Sequence, residues 1–395
     1  MNELNTDIVI VGGGIAGLWM LNSLSQQGYD VILLEADKLG SGQSVRSQGI
    51  IHGGMKYALN GVLSQASDAI KDMPARWRKC LAGEGDIDLS GVTQLSAAHY
   101  LWSQRSLGAK ITSFFAKKSM SGRVDNVDKA DYPTVFSHSG FKGNLYKLNE
   151  IVLDIPTVLK KLAAPYQSRI LQIDTSKCEW QQQGQQINAL YDPQQDLRIN
   201  AQRFIFAAGQ GNAAILESLN ITQPQMQSRP LHMLAVTHNT PLPIYAHCIG
   251  ASSKPLVTIT HHINQNGSYT WYLGGDIAES GVERGTQQQI DTGKALIKDL
   301  LPWVTLENPS WQAIRIDRAE PKQSSLSRPD CAFMHCADNH FVCWPTKLAL
   351  APDLSDKVID ALKSQNVIAQ FTADKQLLDN LQHSSTSMLA WEAAK

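Results

Sequence analysis

The sequence predicts an α/β protein in which a Rossmann-like domain, with a mixed and mainly parallel sheet, is interleaved with an α+β domain built on a mostly antiparallel sheet. Three observations support this fold class. A strand–helix–strand unit occupies residues 7–35, another continuous apolar strand lies at 204–208, and apolar and polar side chains alternate over 230–275. Continuous apolar runs are typical of strands buried on both faces, whereas alternation is typical of an antiparallel sheet with one free face.

Local composition predicts the first elements. The apolar, β-branched run DIVIVG at 7–12 predicts a strand, residues 15–27 have the apolar spacing of a helix, and Gly28 closes that helix as its C-cap. The segment YDVILLE at 29–35 predicts a second buried strand. Gly, Ser and Gln then dominate residues 38–54, which indicates a loop close to a ligand.

The remaining elements are predicted in the same way. They are largely helical structure over 60–120, a helix at 155–162, a strand at 170–173, a small meander over 187–199, and a strand in 340–351 that leads into a helix. We expect the first domain to comprise residues 1–75, 145–225 and 315–365, the second domain 76–144 and 226–314, and a C-terminal helix and tail 366–395.

Composition excludes several classes of protein. The 395 residues are 43% hydrophobic and 18% charged, with a net charge of −1, which excludes collagen-like and disordered chains. The sequence contains no block of Lys and Arg residues of the kind that indicates nucleic-acid binding. The six cysteines form no CxxC pair, which favours a reducing, cytoplasmic compartment. The longest apolar stretch, 8–21, is too short to span a bilayer, so we expect no transmembrane segment, although peripheral contact with the inner face of the membrane stays open.

A glycine motif predicts a dinucleotide site. Gly12-x-Gly14-x-x-Gly17 follows the first strand and opens the helix, and Glu35 ends the second strand. The first glycine makes the tight turn, the second admits a pyrophosphate against the backbone, and the third lets helix and strand pack closely. The helix N-terminus stabilises the phosphates, and the acid accepts hydrogen bonds from ribose hydroxyls, which makes NADP the least suitable nucleotide. The alternative is a glycine-rich turn in the core.

A second glycine pattern, Gly209-x-Gly211-x-x-Ala214, also follows a buried strand. It is either a second dinucleotide site or the place where a late sheet strand brings its glycine to the first nucleotide. We favour the second interpretation, because no acid lies about 20 residues further on.

The segment GSGQSVRSQGIIHGGMKYAL at 40–59, together with the glycine motif, resembles the FAD-dependent oxidoreductases of the D-amino-acid oxidase superfamily. It is most similar to the flavin-linked glycerol-3-phosphate dehydrogenase and L-2-hydroxyglutarate dehydrogenase branches. Segments 7–59, 203–236 and 311–352 carry the resemblance. The resemblance implies non-covalently bound FAD and hydride transfer from a small anionic alcohol, a glycerol-phosphate or 2-hydroxy acid, to flavin N5.

The resemblance also implies which positions hold FAD. The backbone of Ile170 matches a contact to the adenine, FIFAAG places Gly209 against the cofactor, and WPTKLALAP replaces a GGK-type turn, with Trp344 and Pro345 in place of two glycines. The expected cofactor-binding residues are Gly12, Gly14, Ile15, Gly17, Glu35, Ala36, Gln43, Ser44, Arg46, Ser47, Gln48, Gly49, Ile170, Ala208, Gly209, Thr346, Lys347 and Leu348.

Two histidines are candidates for the proton-transfer role, because imidazole titrates near neutral pH. They are His52, in IIHGG, and His232, in RPLHMLAV; each has the alternative of a purely structural histidine. The resemblance implies that three basic positions hold an anionic substrate group, with Arg318 able to take the place of the second: Lys56, Arg315 and Lys347.

A Cys/His cluster near the C-terminus has ligand types that zinc prefers: Cys331, His335, Cys336, His340 and Cys343. Its spacing matches no common zinc framework, and the phenylalanines between its members favour a core hairpin. We therefore expect no metal and no covalent link between flavin and Cys331.

Two other functions stay open. One is FAD-dependent oxidation of an amine or amino acid, because pockets of that type also hold a carboxylate with arginine. The other is a flavin-binding protein without turnover, which the altered WPTK turn suggests. Oxygen, a quinone and a carrier protein are the electron acceptors to consider.

Overall fold

The computed structural model describes residues 2–54, 69–103, 124–250, 254–322 and 331–392. The strands are β1 (Asn2–Val11), β2 (Val31–Glu35), β3 (Ile50–Ile51), β4 (Gln94–Ser96), β5 (His99–Ser103), β6 (Val124–Asn126), β7 (Leu145–Leu148), β8 (Ile151–Leu153), β9 (Ile170–Gln172), β10 (Glu179–Gln183), β11 (Gln186–Asp192), β12 (Leu197–Phe206), β13 (Met226–His238), β14 (Ala246–Ile249), β15 (Pro255–Ile263), β16 (Tyr269–Gly274), β17 (Ser310–Pro321), β18 (Phe333–Ala337) and β19 (His340–Trp344). The α-helices are α1 (Ile15–Gln26), α2 (Met73–Leu81), α3 (Ile155–Ala163), α4 (Gly211–Ser218), α5 (Asp276–Glu279), α6 (Thr286–Leu300), α7 (Ala351–Ser364) and α8 (Lys375–Asp379).

The first sheet has a parallel centre in the order β19-β12-β1-β2-β9. Strands β10, β11 and β18 add antiparallel pairs at its margins. Alternate residues of β1 enter different cores: Ile8 and Ile10 pack with α1, α3 and α7, whereas Val9 and Val11 pack with α4 and α8. The continuous apolar run is therefore buried on both faces, as the sequence predicts.

The second sheet has the order β17-β13-β16-β15-β14-β5-β7-β6, and all its pairs are antiparallel except β14–β5. One face packs on α6 through residues such as Leu234 and Leu273. The opposite face carries Met233, Tyr272 and Thr258, and it looks toward the glycine-rich end of the first sheet. Strands β3, β8 and β4 form a small third sheet. The predicted fold class is confirmed.

The expectation of largely helical structure over 60–120 is only partly met. Helix α2 lies within this range, but β4 and β5 are strands, and residues 55–68 and 104–123 lie outside the described part of the chain. The segment HYLWS forms β5 because it pairs with both β14 and β7. A short apolar run does not distinguish helix from strand, so its distant partners decide.

Strand membership also differs from the expected domain ranges at two points. Strands β7 and β17 belong to the second sheet, although the expected ranges place 145–148 and 315–321 in the first domain. Pairing decides both cases, because β17 runs beside β13 along its whole length, from Pro321 opposite Met226 to Ser310 opposite Thr237. The division of the chain into domains stays a prediction.

The C-terminal segment after α8 connects the two large sheets. Its residue Thr386 bridges to Leu39, which directly precedes the loop at 40–49. Further on, the indole N–H of Trp391 donates to Asn264 Oδ1 at 2.9 Å, and its ring packs on Tyr272 of the second sheet. No helix in the described ranges is long and apolar enough to cross a bilayer.

Candidate active site

A cavity of about 710 Å³ lies between the glycine-rich end of the first sheet and the free face of the second sheet. Its volume is within the range of about 300–1,000 Å³ that is typical of ligand and cofactor sites. Its walls come from the turn after β1, the loop at 40–49, the end of β12, strands β13 and β17, and the turn after β19.

The three glycines of the first glycine motif meet three different steric requirements. Gly12 has φ +113°, and a Cβ there would lie 2.6 Å from the backbone of Ala207. A Cβ on Gly17 would collide with the carbonyl oxygen of Gly12, so this glycine allows α1 to pack against β1. A Cβ on Gly14 would meet only Ser44 Oγ, at 3.2 Å, and would otherwise project into the cavity. The space over Gly14 therefore suits a group that must approach the backbone closely.

Polar groups come together at the cavity around the start of α1. The backbone N–H of Ile15 donates to Ser44 Oγ at 3.0 Å, and Gly14 is the N-cap without a side-chain cap. The carboxylate of Glu35 accepts hydrogen bonds from the N–H groups of Gly13, at 2.6 Å, and Asp37, at 3.0 Å. Burial raises the pKa of Glu35, and these two hydrogen bonds oppose that rise.

The loop at 40–49 is held in place from both sides. The Gln48 amide donates to the carbonyl oxygens of Thr258 (3.0 Å) and Tyr272 (2.9 Å) in the second sheet. The Tyr272 hydroxyl donates to the Arg46 carbonyl at 3.0 Å. The Arg46 guanidinium bonds to the carbonyls of Ser41 and Gly42 in its own loop. Loop backbone and short side chains thus face the cavity.

The end of β12 and the turn after β19 close the same cavity. The Trp344 indole N–H donates to the carbonyl oxygen of Gly209 at 3.0 Å. The Asn212 amide joins Ala208 to Cys343, at 2.9 and 3.2 Å. Ala208 and Gly209 line the cavity beside the first glycine motif, which supports one nucleotide site shared by both motifs.

The WPTK turn lines the cavity without the two glycines of the GGK-type turn. Thr346 adopts φ +59°, a left-handed conformation that is costly for a β-branched residue. Its hydroxyl donates to the carbonyls of Cys331 (3.0 Å) and Pro345 (2.7 Å), which helps to hold that conformation.

Most of the expected cofactor-binding residues line the cavity. They are Gly12, Gly14, Ile15, Glu35, Gln43, Ser44, Arg46, Ser47, Gln48, Gly49, Ala208, Gly209, Thr346, Lys347 and Leu348. Gly17, Ala36 and Ile170 do not line it, because Gly17 serves packing, Ala36 points to solvent and Ile170 is fully buried in β9. The Ile170 carbonyl bonds to His383 at 3.0 Å instead. Lys56 lies outside the residues that the structure describes.

The second sheet presents only one face of β13 and β17 to the cavity. Residues at odd positions of β13 share this face with their partners in β17, so Met233 lies on it with Arg318. His232 and its partner Arg315 point to the opposite face. His232 bonds to the carbonyl of Gly281 at 3.0 Å, and it is not among the cavity-lining residues.

Arg315 has its guanidinium bound to the carbonyls of Val282 (2.8 Å) and Arg284 (2.9 Å), although its residue borders the cavity. The structure therefore does not bring His232 and the Arg315 guanidinium together with His52. Arg318, the named substitute, is half-buried on the cavity face, and Lys347, which is 6% exposed, also lines the cavity.

His52 lines the cavity together with a buried acid that sequence reasoning missed. His52 Nδ1 lies 3.2 Å from Glu150 Oε2, and Glu150 Oε1 accepts the Gly53 N–H at 3.1 Å. His247 Nε2 approaches Glu150 Oε2 at 3.8 Å. Burial alone raises the pKa of Glu150, but His52 and His247 hold it well below its ordinary value. The carboxylate is therefore ionised between two imidazoles.

Neither Glu150 nor His247 belongs to a motif. Glu150 is the acid between two apolar strands, β7 and β8, and this local charge in an apolar context is the only signal in the sequence. Among the described residues, these two and His52 form the only group of three His, Cys, Asp or Glu side chains close enough to hold a metal ion, with ligand atoms within 4.8 Å of one another.

The Cys/His segment forms the expected hairpin. Strands β18 and β19 pair with Met334 opposite Cys343 and Ala337 opposite His340. Cys343 is buried, whereas Cys331 is exposed. Their strand geometry separates the side chains onto different faces, which explains why the ligand types do not converge.

Comparison with known proteins agrees with this cavity. A family model described as "DAO: FAD dependent oxidoreductase" matches residues 7–331. The chain is 46% identical over 392 residues to the probable FAD-dependent oxidoreductase PA4991 of Pseudomonas aeruginosa, covering 99% of this chain and 98% of that protein. The crystal structure of PA4991 superposes with a TM-score of 0.86 at 42% identity, covering 100% and 99% of the two chains.

More distant solved structures share the fold alone. L-alpha-glycerophosphate oxidase from Mycoplasma pneumoniae, solved dithionite-reduced with FAD bound, has a TM-score of 0.64 at 13% identity, covering 98% of this chain and 100% of that one. Glycine oxidase from Geobacillus kaustophilus has a TM-score of 0.62 at 13% identity, covering 95% and 98%. The family match and the full-length similarity, on a chain with this glycine-rich cavity, lead to one conclusion: the protein is an FAD-dependent oxidoreductase of the DAO family.

Proposed function

We propose that the protein oxidises the CH–OH group of a small anionic substrate, a sugar- or glycerol-phosphate or a 2-hydroxy acid, with FAD as the hydride acceptor. Three features of one cavity support this proposal: a glycine-rich nucleotide cradle, a histidine beside an ionised carboxylate, and two cationic side chains in the lining. The observation that carries it is that His52, Lys347 and Arg318 line the same cavity as the glycines of the first glycine motif.

The residues present fit FAD. The open space over Gly14 and the N-terminal end of α1 suit the pyrophosphate, and Glu35 suits the adenosine ribose. The loop at 40–49, which bonds to the second sheet through Gln48, and the turn around Lys347 both line the cavity. When bound there, FAD supplies the acceptor for the hydride of the substrate C–H bond.

His52 is the proposed base for the hydroxyl proton. Its Nδ1 lies 3.2 Å from Glu150 Oε2, and the residue lines the cavity. The side chain is 28% exposed, which lets the proton leave to solvent after turnover. General-base catalysis of this kind contributes about 10²–10⁴-fold to the rate.

Arg318 and Lys347 are the proposed anion-binding residues. Both line the cavity, on β17 and on the turn after β19, and thus approach a ligand from two sides. An arginine can bind a carboxylate or phosphate with two parallel hydrogen bonds, and a buried lysine adds a compact charge. We leave His232 and the Arg315 guanidinium out of this site because their hydrogen bonds hold them on the other face of the sheet.

Anaerobic reduction of the bound flavin tests the proposal. Sugar phosphates, 2-hydroxy acids, amino acids and N-methyl amines are added in turn, and bleaching of the flavin absorbance is followed. We expect bleaching by a member of the first two groups. Bleaching by amines alone would make the protein an amine or amino-acid oxidase.

A matched pair of variants locates the chemistry. His52→Gln is expected to keep FAD and to lower the bleaching rate by about 10²-fold or more. His232→Gln is expected to keep the wild-type rate, because His232 lies on the other face of its strand. A flavin that dithionite reduces but that no compound in the panel bleaches would favour a binding protein without turnover.

A further inference from the structure

The segment after α8, residues 382–392, contacts both the start of the loop at 40–49 and the second sheet, and none of these eleven described residues is among those that line the cavity. We propose that this segment and Tyr272 position the loop at 40–49 for FAD, so that docking of the segment and binding of FAD strengthen each other. The proposal rests on FAD occupying the cavity, and it does not depend on which substrate the enzyme oxidises.

The loop at 40–49 has little internal structure. It consists of turns and a bend, and none of its residues is in a helix or a strand. Within its backbone, the Val45 N–H donates to the Gly40 carbonyl and the Ser47 N–H donates to the Ser44 carbonyl, both at 3.2 Å. A chain of this kind loses much conformational entropy when it is held in one conformation, so contacts from outside must compensate that loss.

The segment after α8 supplies such contacts at the start of the loop. The Leu39 N–H donates to the Ser385 carbonyl at 2.8 Å, and the Ser387 N–H donates to the Leu39 carbonyl at 3.0 Å. The next residue, Gly40, donates its N–H to the carbonyl of Gly13 at 3.0 Å. The start of the loop is therefore held between this segment and the first glycine motif.

Tyr272 supplies contacts near the other end of the loop. Its side chain is fully buried, and its hydroxyl donates to the Arg46 carbonyl at 3.0 Å. Its own carbonyl accepts a hydrogen bond from the Gln48 amide at 2.9 Å. Arg46 and Gln48 both line the cavity. A displacement of Tyr272 would therefore move two residues of the cavity wall.

Trp391 fixes Tyr272 from behind. Its ring lies 4.6 Å from the Tyr272 ring, centroid to centroid, and its indole N–H donates to Asn264 Oδ1 at 2.9 Å. The Asn264 amide donates in turn to the Thr270 hydroxyl at 2.9 Å, on the strand that carries Tyr272. Trp391 also belongs to the apolar cluster of Met233, which lines the cavity. The segment thus reaches the loop by two routes, through Leu39 and through Tyr272.

The segment depends on these contacts for its own order. Its regular pairing is limited to two isolated bridges, from His383 to Leu171 and from Thr386 to Leu39. Segments with so little pairing open at a lower free-energy cost than the centre of a sheet. Because the docked segment favours the loop conformation that binds FAD, bound FAD must favour the docked segment by the same factor.

Hydrogen exchange of the wild-type protein tests this reciprocity. Mass spectrometry of peptides that cover residues 382–392 compares the flavin-free protein with the protein saturated with FAD. We expect FAD to slow exchange in these peptides about 3- to 10-fold, although the segment does not border the cavity. The hairpin of β10 and β11, residues 179–192, also lies outside the lining and is expected to exchange equally in both states. Equal exchange of 382–392 with and without FAD would overturn the proposal.

A matched pair of variants tests the route through Tyr272. Tyr272→Phe and Tyr29→Phe each remove one phenolic hydroxyl that donates to a backbone carbonyl, of Arg46 at 3.0 Å and of Val367 at 2.8 Å. By quenching of flavin fluorescence, we expect Tyr272→Phe to bind FAD about 3- to 10-fold more weakly, the range of one neutral hydrogen bond. Tyr29→Phe is expected to keep the wild-type affinity, and equal affinities of the two variants would overturn the role of Tyr272.

Two features keep the test decisive. The exchange experiment uses the wild-type protein, so a variant that fails to fold leaves that readout intact. FAD bound outside the cavity would leave Gly14→Ala with wild-type affinity, because its added methyl group projects into the cavity. A failure of the coupling alone would leave Gly14→Ala weakened and the exchange of 382–392 unchanged by FAD, so the two failures are distinguishable.

Discussion

Two glycine-to-alanine substitutions, at Gly14 and at Gly17, test whether the cavity over α1 is where the pyrophosphate of FAD binds. A Cβ on Gly14 has open space except for Ser44 Oγ at 3.2 Å, whereas a Cβ on Gly17 runs into the carbonyl of Gly12. Gly14→Ala should therefore fold without FAD nearly as well as the wild-type protein, and Gly17→Ala should not.

The magnitudes follow from these contacts. Gly14→Ala loses a good N-cap, which costs about 1 kcal/mol of unfolding free energy. Gly17→Ala must push α1 away from β1, which costs about 1–3 kcal/mol or more. In Gly14→Ala, the methyl group takes the space of a phosphate and removes one or two charge-assisted hydrogen bonds, about 2–4 kcal/mol in total. This corresponds to a roughly 30- to 1,000-fold weaker affinity for FAD.

The assay separates folding from binding. Urea unfolding of the flavin-free proteins gives the free energies, and quenching of flavin fluorescence gives the dissociation constants. Wild-type affinity for FAD in Gly14→Ala would refute our placement of the pyrophosphate. Wild-type stability in flavin-free Gly17→Ala would refute the packing argument.

Three further predictions concern the second sheet and its anion site. Trp391→Ala should lower the unfolding free energy by about 3–5 kcal/mol in urea titrations, because this indole is 4% exposed and bonded; a change below 1 kcal/mol would contradict its role. Burial lowers the pKa of His261 to about 4 and of His262 to about 3, against 6.5 in an unfolded chain. Stability is therefore highest well above pH 6.5 and falls as the pH decreases, by about 3 kcal/mol between pH 6.5 and 5 for the two groups. His262→Gln should halve that slope in unfolding experiments at each pH, and an unchanged slope would exclude it as the source. Arg318→Ala should raise the KM of the anionic substrate about 10- to 100-fold in steady-state assays, whereas Arg315→Ala should not; the reverse order would place the anion on the other face of β17.

The nucleotide half of the site is predictable from sequence because its information is local. Gly12, Gly14 and Glu35 lie within one strand–helix–strand unit, and each residue type answers a steric or hydrogen-bonding need of that unit. The same holds for the apolar run of β12, which enters the sheet beside β1 and brings Gly209 to the cavity.

The substrate half is less predictable because strand faces and distant partners decide it. His232 and Met233 are neighbours, yet only Met233 faces the cavity, and a shift by one residue exchanges the two. The pairing of β13 with β17 fixes that choice, and no local pattern reports it. Glu150 lies 98 residues from His52, so their contact exists only once β3 and β8 have paired.

The segment after α8 has a consequence for when the cofactor can be captured. The Leu39 N–H donates to the Ser385 carbonyl and the Ser387 N–H donates to the Leu39 carbonyl, so this segment braces the start of the loop that lines the cavity. Its Trp391 packs on Tyr272 of the second sheet. On the ribosome, these residues are synthesised after every other group that borders the cavity. A nascent chain that has completed only the first glycine motif has β1 and the turn after it. It still lacks β2 and β12, which flank β1 in the sheet, and the segment after α8. We therefore expect FAD to bind after the segment that follows α8 has been synthesised rather than to template early folding.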